Sequence, residues 1–339
     1  MAPERKIRVL VVDDSVVVQM ALRRILSRDS SIQVVGVAPN PLVARDKILE
    51  LKPDVLTLDI EMPEMDGLTF LRIIMKERPM PVIIVSSMTQ HGSEIALEAL
   101  RCGAVDVLGK PSSSSVGDID QELIYKIQSA ANSRIYRAVN VEVPKIADGA
   151  NIDFSKVILL GASTGGPAAI GHILTALPAV MPPICVVQHI PPIFSKTLAA
   201  RLNTQCALTV KEAEEGDKLM PNCVYFAPGD HHMLLEANDH IRLNQGPKVC
   251  YQRPSVDILF KTAARVLGKR AVAGILTGMG NDGADGLLAL KNSGALTFAQ
   301  NEDTSVVYGM PKEAVRLGAT QSVLPLEKIP AFLLDAVSK

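Results

Sequence analysis

The apolar residues of this chain come in short, nearly unbroken runs rather than in alternation with polar ones. Towards the N-terminus the runs read IRVLVVDD, QVVGVA, DVLTLD, PVIIVSS and AVDVLGKP; from Lys156 onward they read KVILLG, ICVVQH, VYFAPG, AVAGILTG and ALTFAQ. A strand with one solvated face alternates, so continuous runs this short predict strands buried on both faces, in parallel sheets covered by helices. Amphipathic stretches such as SVVVQMALRRIL separate the runs, and Ile119, Leu123, Ile124 and Ile127 keep helical spacing after the fifth. One departure is HHMLLEANDHIRLNQ, where two strand-like runs meet at Asn238-Asp239. That turn pair predicts an antiparallel hairpin. The expected class is α/β, with two doubly wound parallel-sheet domains, the second carrying the hairpin.

A chain of 339 residues is too long for one hydrophobic core and suits two. The run RAVNVEVPKIADGANID is polar, contains Pro and Gly and has no period, so it reads as a linker. The expected boundaries are 1–136, a linker at 137–153, and 154–339. A formal net charge of −1 with 47% hydrophobic residues gives no overall attraction for a polyanion and disfavours DNA binding, so no nucleic-acid partner is expected. The five cysteines, Cys102, Cys185, Cys206, Cys223 and Cys250, are scattered and form no C-x-x-C pair. Neither a disulfide framework nor a zinc site is indicated, and reduced, packed thiols are expected. The first residues, MAPERKIRVL, contain no apolar leader, and no later stretch reaches the ~18 apolar residues of a membrane span. A cytoplasmic, monomeric protein without membrane insertion is expected.

Asp13 and Asp14 end the first strand-like run, Asp59 the third, Ser86 the fourth, and Lys110 the fifth before Pro111. In a parallel sheet such ends share one edge. Three carboxylates in one pocket raise one another's pKa unless a cation lies among them, and an all-oxygen set suits Mg²⁺. With Mg²⁺ and Lys110 neutralising charge, Asp59 is placed to attack a phosphoryl donor and Ser86 to hydrogen-bond the transferred group. Ser87 leaves the register of that hydroxyl open by one residue.

The motifs VVDDS, LDIEMPEMDG, VSS and GKP, from Ile7 to Pro111, resemble the response-regulator receiver domain of bacterial two-component signalling. The resemblance implies a flavodoxin-like fold and phosphorylation of Asp59. It also implies Mg²⁺ held by Asp13, Asp14, Asp59 and the backbone carbonyl of Glu61, and a switch through Ser86 and Lys110. Val107 stands three residues before that lysine, where receivers often carry an aromatic residue.

In LLGASTGGP, Gly161 to Gly165 match G-x-S-x-G between a predicted strand and a predicted helix. A helix N-terminus aimed at the turn favours either a phosphate or the oxyanion of an acyl-transfer intermediate. A serine hydroxyl needs a base, and His189 closes the likely next strand, followed by Pro191 and Pro192. GILTGMGNDGADG supplies Asp282 just beyond another strand end as the acid to orient the imidazole, with Asp285 and Asp303 as rivals. The order Ser163, His189, Asp282 departs from the serine, acid, histidine order of α/β-hydrolases. A non-catalytic output module that binds phosphate on GASTGG lacks a P-loop lysine and leaves His189 and Asp282 without a role. A transcription factor would need a basic recognition helix after the linker, where an apolar strand and a glycine loop stand instead.

The motifs GASTGGP, QHIPP, FAPGDHHM, RPSVD, TGMGNDGADG and AQNEDTSVVYGMP resemble the catalytic domain of the protein-glutamate methylesterases of bacterial chemotaxis. The resemblance implies Ser163 as nucleophile, His189 as base and Asp282 as its orienter, with backbone N–H groups around Thr164 and Met279 as oxyanion donors. It implies methylated glutamates of methyl-accepting chemoreceptors as substrate, deamidation of receptor glutamines as a second activity, and the chemotaxis histidine kinase as phosphodonor. It implies no cofactor in the catalytic domain.

Overall fold

A computed structural model of the chain describes residues 5–87, 89–110, 118–133 and 152–339. Contacts divide the chain into two units, Met1–Arg137 and Ala138–Lys339. Pro111 and almost all of the expected linker, 137–153, lie outside the described residues. Within that expected linker, Ile152 pairs with Ser338, and the Asp153 N–H donates to Val337 O at 2.7 Å.

The first unit alternates strand and helix throughout. Its order is β1 (Ile7–Val12), α1 (Val16–Leu26), β2 (Ile32–Ala38), α2 (Pro41–Leu51), β3 (Val55–Asp59), α3 (Gly67–Glu77), β4 (Val82–Ser86), α4 (Gln90–Arg101), β5 (Asp106–Gly109) and α5 (Asp118–Ala131). All strands are parallel, in the order β2-β1-β3-β4-β5. Every residue of β3, β4 and β5 is buried, as continuous apolar runs require when helices cover both faces. The first four βα turns each end in a helix cap: the side chains of Ser15, Asn40, Asp66 and Thr89 accept the N–H of Val18, Val43, Thr69 and Gly92. The chain thereby turns sharply at one edge of the sheet and keeps the strand ends close together there.

The second unit runs β6 (Val157–Ala162), α6 (Gly166–Ala176), β7 (Ile184–Gln188), α7 (Phe194–Gln205), β8 (Thr209–Glu212), β9 (Cys223–Phe226), β10 (His232–Glu236), β11 (His240–Asn244), α8 (Val256–Val266), β12 (Ala271–Ile275), α9 (Ala284–Asn292), β13 (Leu296–Gln300), α10 (Met310–Arg316), β14 (Ser322–Leu324) and α11 (Ile329–Val337). Seven parallel strands lie in the order β14-β13-β12-β6-β7-β9-β8. The expected hairpin is β10 and β11, antiparallel, with Glu236 opposite His240 and left-handed backbone at Asn238 and Asp239. The outermost strands β8 and β14 have no counterpart among the apolar runs. They are short and partly exposed, so nothing selects for a continuous apolar pattern there.

β6 sits between β7 and β12, where the winding of the chain reverses. Ligand sites in such sheets form at the carboxyl ends of the strands beside that reversal. All five cysteines are free. Cys185 is buried, and burial pushes its thiol pKa up; Cys250 is exposed, so the expectation of packed thiols does not hold for it.

A buried ion pair ties α5 to the sheet of the first unit. Lys126, 5% exposed, donates to Asp106 Oδ1 at 2.7 Å and lies 3.7 Å from Glu122. Burial alone would lower the lysine pKa, but the charges of Asp106 and Glu122 outweigh it and raise it. Lys126→Met leaves the Asp106 carboxylate buried without that ammonium and is expected to cost about 3 kcal/mol in urea denaturation. The double variant Asp106→Leu, Lys126→Met should recover most of the loss, and failure to recover it would show that the pair is needed for more than charge balance.

Candidate functional site

At the strand ends of the first unit, carboxylate oxygens of Asp13, Asp14 and Asp59 lie within 4.8 Å of one another, with Asp13 and Asp59 buried and Asp14 exposed. Lys110 Nζ donates to Asp59 Oδ2 at 2.7 Å and stands 3.6 Å from Asp13 Oδ2. The Ser15 and Glu61 N–H groups donate to Asp13 Oδ1 at 2.9 Å and Asp59 Oδ1 at 3.2 Å. One cation against three carboxylates leaves the pocket electronegative. Burial pushes Asp13 up to about 6 against the bond from Ser15, with the charge of Asp59 adding to the rise. Asp59 is raised in the same way, with Lys110 opposing. Asp13 Oδ2 is buried and accepts no hydrogen bond. An orphaned carboxylate oxygen among two further carboxylates fits a hard divalent cation with oxygen ligands.

Backbone packing holds this pocket tightly. A Cβ on Gly67, the first residue of α3, would fall 2.0 Å from Asp59 O, so only glycine lets the helix start against the end of β3. The two candidate hydroxyls have different surroundings: Ser86, fully buried, donates to Gly92 O at 3.2 Å, while Ser87 donates to Glu61 Oε1 at 3.2 Å. Val107 is buried within β5.

In the second unit Ala162 of β6 stands opposite Gln188 of β7, so the next residues, Ser163 and His189, leave adjacent strand ends. The loop after β12, on the other side of β6, carries Asp282. His189 Nε2 and Asp282 Oδ2 are 2.7 Å apart and both residues are buried. The same carboxylate accepts the Val256 N–H at 2.8 Å, the Asp257 N–H at 3.1 Å and the Ser255 hydroxyl at 2.8 Å. These are the cap and first free N–H groups of α8, the positive end of its dipole. Burial alone would raise the pKa of Asp282; the bond and charge of His189 and the N–H groups of Val256 and Asp257 outweigh it and hold the acid below its usual value. His189 Nδ1 is buried and has no hydrogen-bond partner. The rivals Asp285 and Asp303 are exposed, and it is Asp282 that meets the imidazole.

Behind Asp282, the Ser255 N–H donates to His232 Nδ1 at 3.2 Å, and His232 Nε2 donates to Pro247 O at 3.0 Å. His232 is therefore neutral, in keeping with a pKa lowered by burial. The turn after β6 is gripped from β12: the Ser163 N–H donates to Thr277 O at 3.0 Å, and Thr277 Oγ1 donates to Thr164 O at 2.9 Å. Thr164 is buried in this turn, just ahead of α6. Met279 follows Gly278, where a Cβ would stand 2.7 Å from Ser163 Cβ, so its loop lies directly against the serine. Ser255, His232, Gln188 and Thr277 were not singled out from sequence. Ser255 alone carries a readable signal, a serine directly before the helical pattern VDILFKTAARV.

The sequence profile described as CheB methylesterase matches residues 158–333 and that of the response regulator receiver domain residues 9–118. A Syntrophus aciditrophicus protein named protein-glutamate methylesterase/protein-glutamine glutaminase 2 is 48% identical over 337 residues, 96% of this chain and 97% of that one. The chain belongs to the CheB methylesterase family. A relative from Salmonella typhimurium, named protein-glutamate methylesterase/protein-glutamine glutaminase, is 46% identical over 98% of this chain and 97% of its own. The crystal structure of the Thermotoga maritima CheB methylesterase catalytic domain is 43% identical and matches with a TM-score of 0.52, over 54% of this chain and 98% of that one.

The raised carboxylates of this family member make a prediction about stability. A carboxylate whose folded pKa is about 6 against 3.8 destabilises the fold progressively as pH rises between those values, and fully above them. Asp13→Asn is therefore expected to stabilise the metal-free full-length protein by roughly 1 to 3 kcal/mol at pH 7, the gain vanishing near pH 4. Denaturation in urea and EDTA at the two pH values measures it; equal stability of variant and parent at pH 7 would refute the electrostatic reading.

Proposed function

We propose that the protein is a phosphorylation-activated serine hydrolase that removes methyl esters from chemoreceptor glutamates and deamidates receptor glutamines, for adaptation in chemotaxis. The observation that carries this reading is the 2.7 Å bond between His189 Nε2 and Asp282, beside Ser163 at the adjacent strand end. With Nε2–H committed to the carboxylate, Nδ1 is the nitrogen left to act as base. Ser163 Oγ attacks the ester carbonyl and passes its proton to Nδ1. Backbone N–H groups of Thr164 and Met279 receive the oxyanion. The imidazolium, stabilised by Asp282, gives the proton to the departing methoxide oxygen, so that methanol leaves and a glutamyl ester remains on Ser163. Water, deprotonated by His189, then releases the free glutamate. A glutamine side chain follows the same path with ammonia as leaving group, which accounts for both activities in the relatives' names.

In the first unit Asp59 is the phosphoryl acceptor, and the donor is the chemotaxis histidine kinase. Asp13, Asp14, Asp59 and the Glu61 carbonyl would hold Mg²⁺, which when bound would supply the charge neutralisation that lets an anionic carboxylate meet a phosphoryl group. Lys110, already bonded to Asp59, and Ser86 then read the transferred group as the switch. The reading carries a cytoplasmic, monomeric protein with no nucleic-acid partner. A net charge of −1 supports the last of these; among the described residues no helix is long and apolar enough to cross a membrane.

Methanol release from methylated receptor membranes tests the reaction. Ser163→Ala and His189→Ala should each lower turnover by roughly 10⁴-fold or more with the fold retained. Asp282→Asn should cause a comparably severe loss and Asp285→Asn little; the reverse result would assign the acid to Asp285. For the phosphorylation site, Asp59→Asn is expected to abolish labelling by a small-molecule phosphodonor, as EDTA should in the unaltered protein. Labelling that survives chelation would rule out the metal.

A further inference from the structure

We propose that Gln188 is a positioning residue for this reaction, its buried side-chain amide clamping the peptide of the nucleophile to that of the base. The inference rests on the Ser163 and His189 roles above. Gln188 ends β7 and is 2% exposed. Its Nε2 donates to Ser163 O at 2.9 Å and to His189 O at 3.0 Å, which uses both amide hydrogens. The parallel ladder between β6 and β7 stops at Ala162 and Gln188. One residue further the His189 N–H still reaches Ala162 O at 3.1 Å, and then the chains part towards α6 and the Pro191-Pro192 loop. The clamp stands where regular pairing gives out and the two reacting side chains begin. Thr277 grips the same serine turn from the loop after β12, so the Ser163 peptide is fixed from both sides of β6.

The cost of the arrangement is visible in two places. Gln188 Oε1 is buried with no donor, and an unsatisfied buried acceptor destabilises a fold. A Cβ on Gly166 would fall 1.9 Å from that oxygen, so the amide also demands glycine at the first residue of α6. Methionine has nearly the same length and no polar atom to strand. A position that served only to fill the core would favour it. What the amide adds over methionine is a hold on two carbonyls at once, and a shift of either peptide would change the spacing between the Ser163 and His189 side chains that the reaction must bring together.

The test uses the full-length protein with Gln188→Met and Gln188→Glu, and Ser163→Ala in parallel. Gln188→Met is expected to keep the unfolding midpoint, lower kcat at least tenfold, leave KM for methylated receptor within twofold, and slow fluorophosphonate labelling of Ser163 by the same factor as kcat. Glutamate in its acid form offers one donor and in its ionised form none. The kcat of Gln188→Glu relative to the parent should therefore rise as pH falls, while the ratio for Gln188→Met stays flat. Parental kcat in the methionine variant, or loss confined to the unfolded fraction, overturns the clamp. Should that variant not fold, a pH-independent ratio for the glutamate variant overturns it instead. If Ser163→Ala stays active, the hydrolase reading itself fails; if it is inactive while Gln188→Met runs at full rate, only the clamp fails.

Discussion

A carboxylate with 2% of its surface exposed keeps its charge only where donors surround it. Asp282 is in that position, and the answer to it runs through the whole second unit. α8 starts where it does because Ser255 caps it and points its hydroxyl, with the N–H groups of Val256 and Asp257, at Asp282. The backbone of Ser255 is held in turn by His232 of β10, which attaches the small hairpin to the sheet's active edge. On the opposite side the one remaining bond goes to His189. A single negative charge thus joins the ends of β7 and β12, the start of α8 and the start of β10.

The acidic pocket of the first unit is built from the same strand-end geometry with the opposite electrostatic outcome. Asp282 meets N–H groups and an imidazole, and its pKa falls; Asp13 and Asp59 meet each other and Asp14, and theirs rise in spite of Lys110. The first arrangement is complete within the chain. The second is unbalanced, and this separates a carboxylate that orients a neighbour from carboxylates that await a cation or an incoming group.

Much of this was legible in the sequence, for identifiable reasons. Parallel strands buried on both faces leave continuous apolar runs, and the functional groups of such sheets stand at the ends of those runs, so Asp59, Ser163 and His189 could be read from position alone. Asp282 could be named but not separated from Asp285 and Asp303. The difference is burial against α8, a helix contributed by a segment some 27 residues away, the separation between Ser255 and Asp282. Gln188 and Thr277 stand inside quoted motifs, but their roles could not be read because each acts by gripping backbone carbonyls near the serine turn, and such a partner carries no side-chain signature. β8 and β14 were missed because half-exposed edge strands need no apolar pattern.

The pairing of Ile152 with Ser338, and of Asp153 with Val337, brings the first described residues of the second unit beside the end of α11. A chain that enters the fold beside its last helix can be joined to a preceding polypeptide without stretching its own sheet. In evolutionary terms such a hydrolase is portable: recombination can exchange the module that governs it while the spacing among Ser163, His189 and Asp282 is inherited intact.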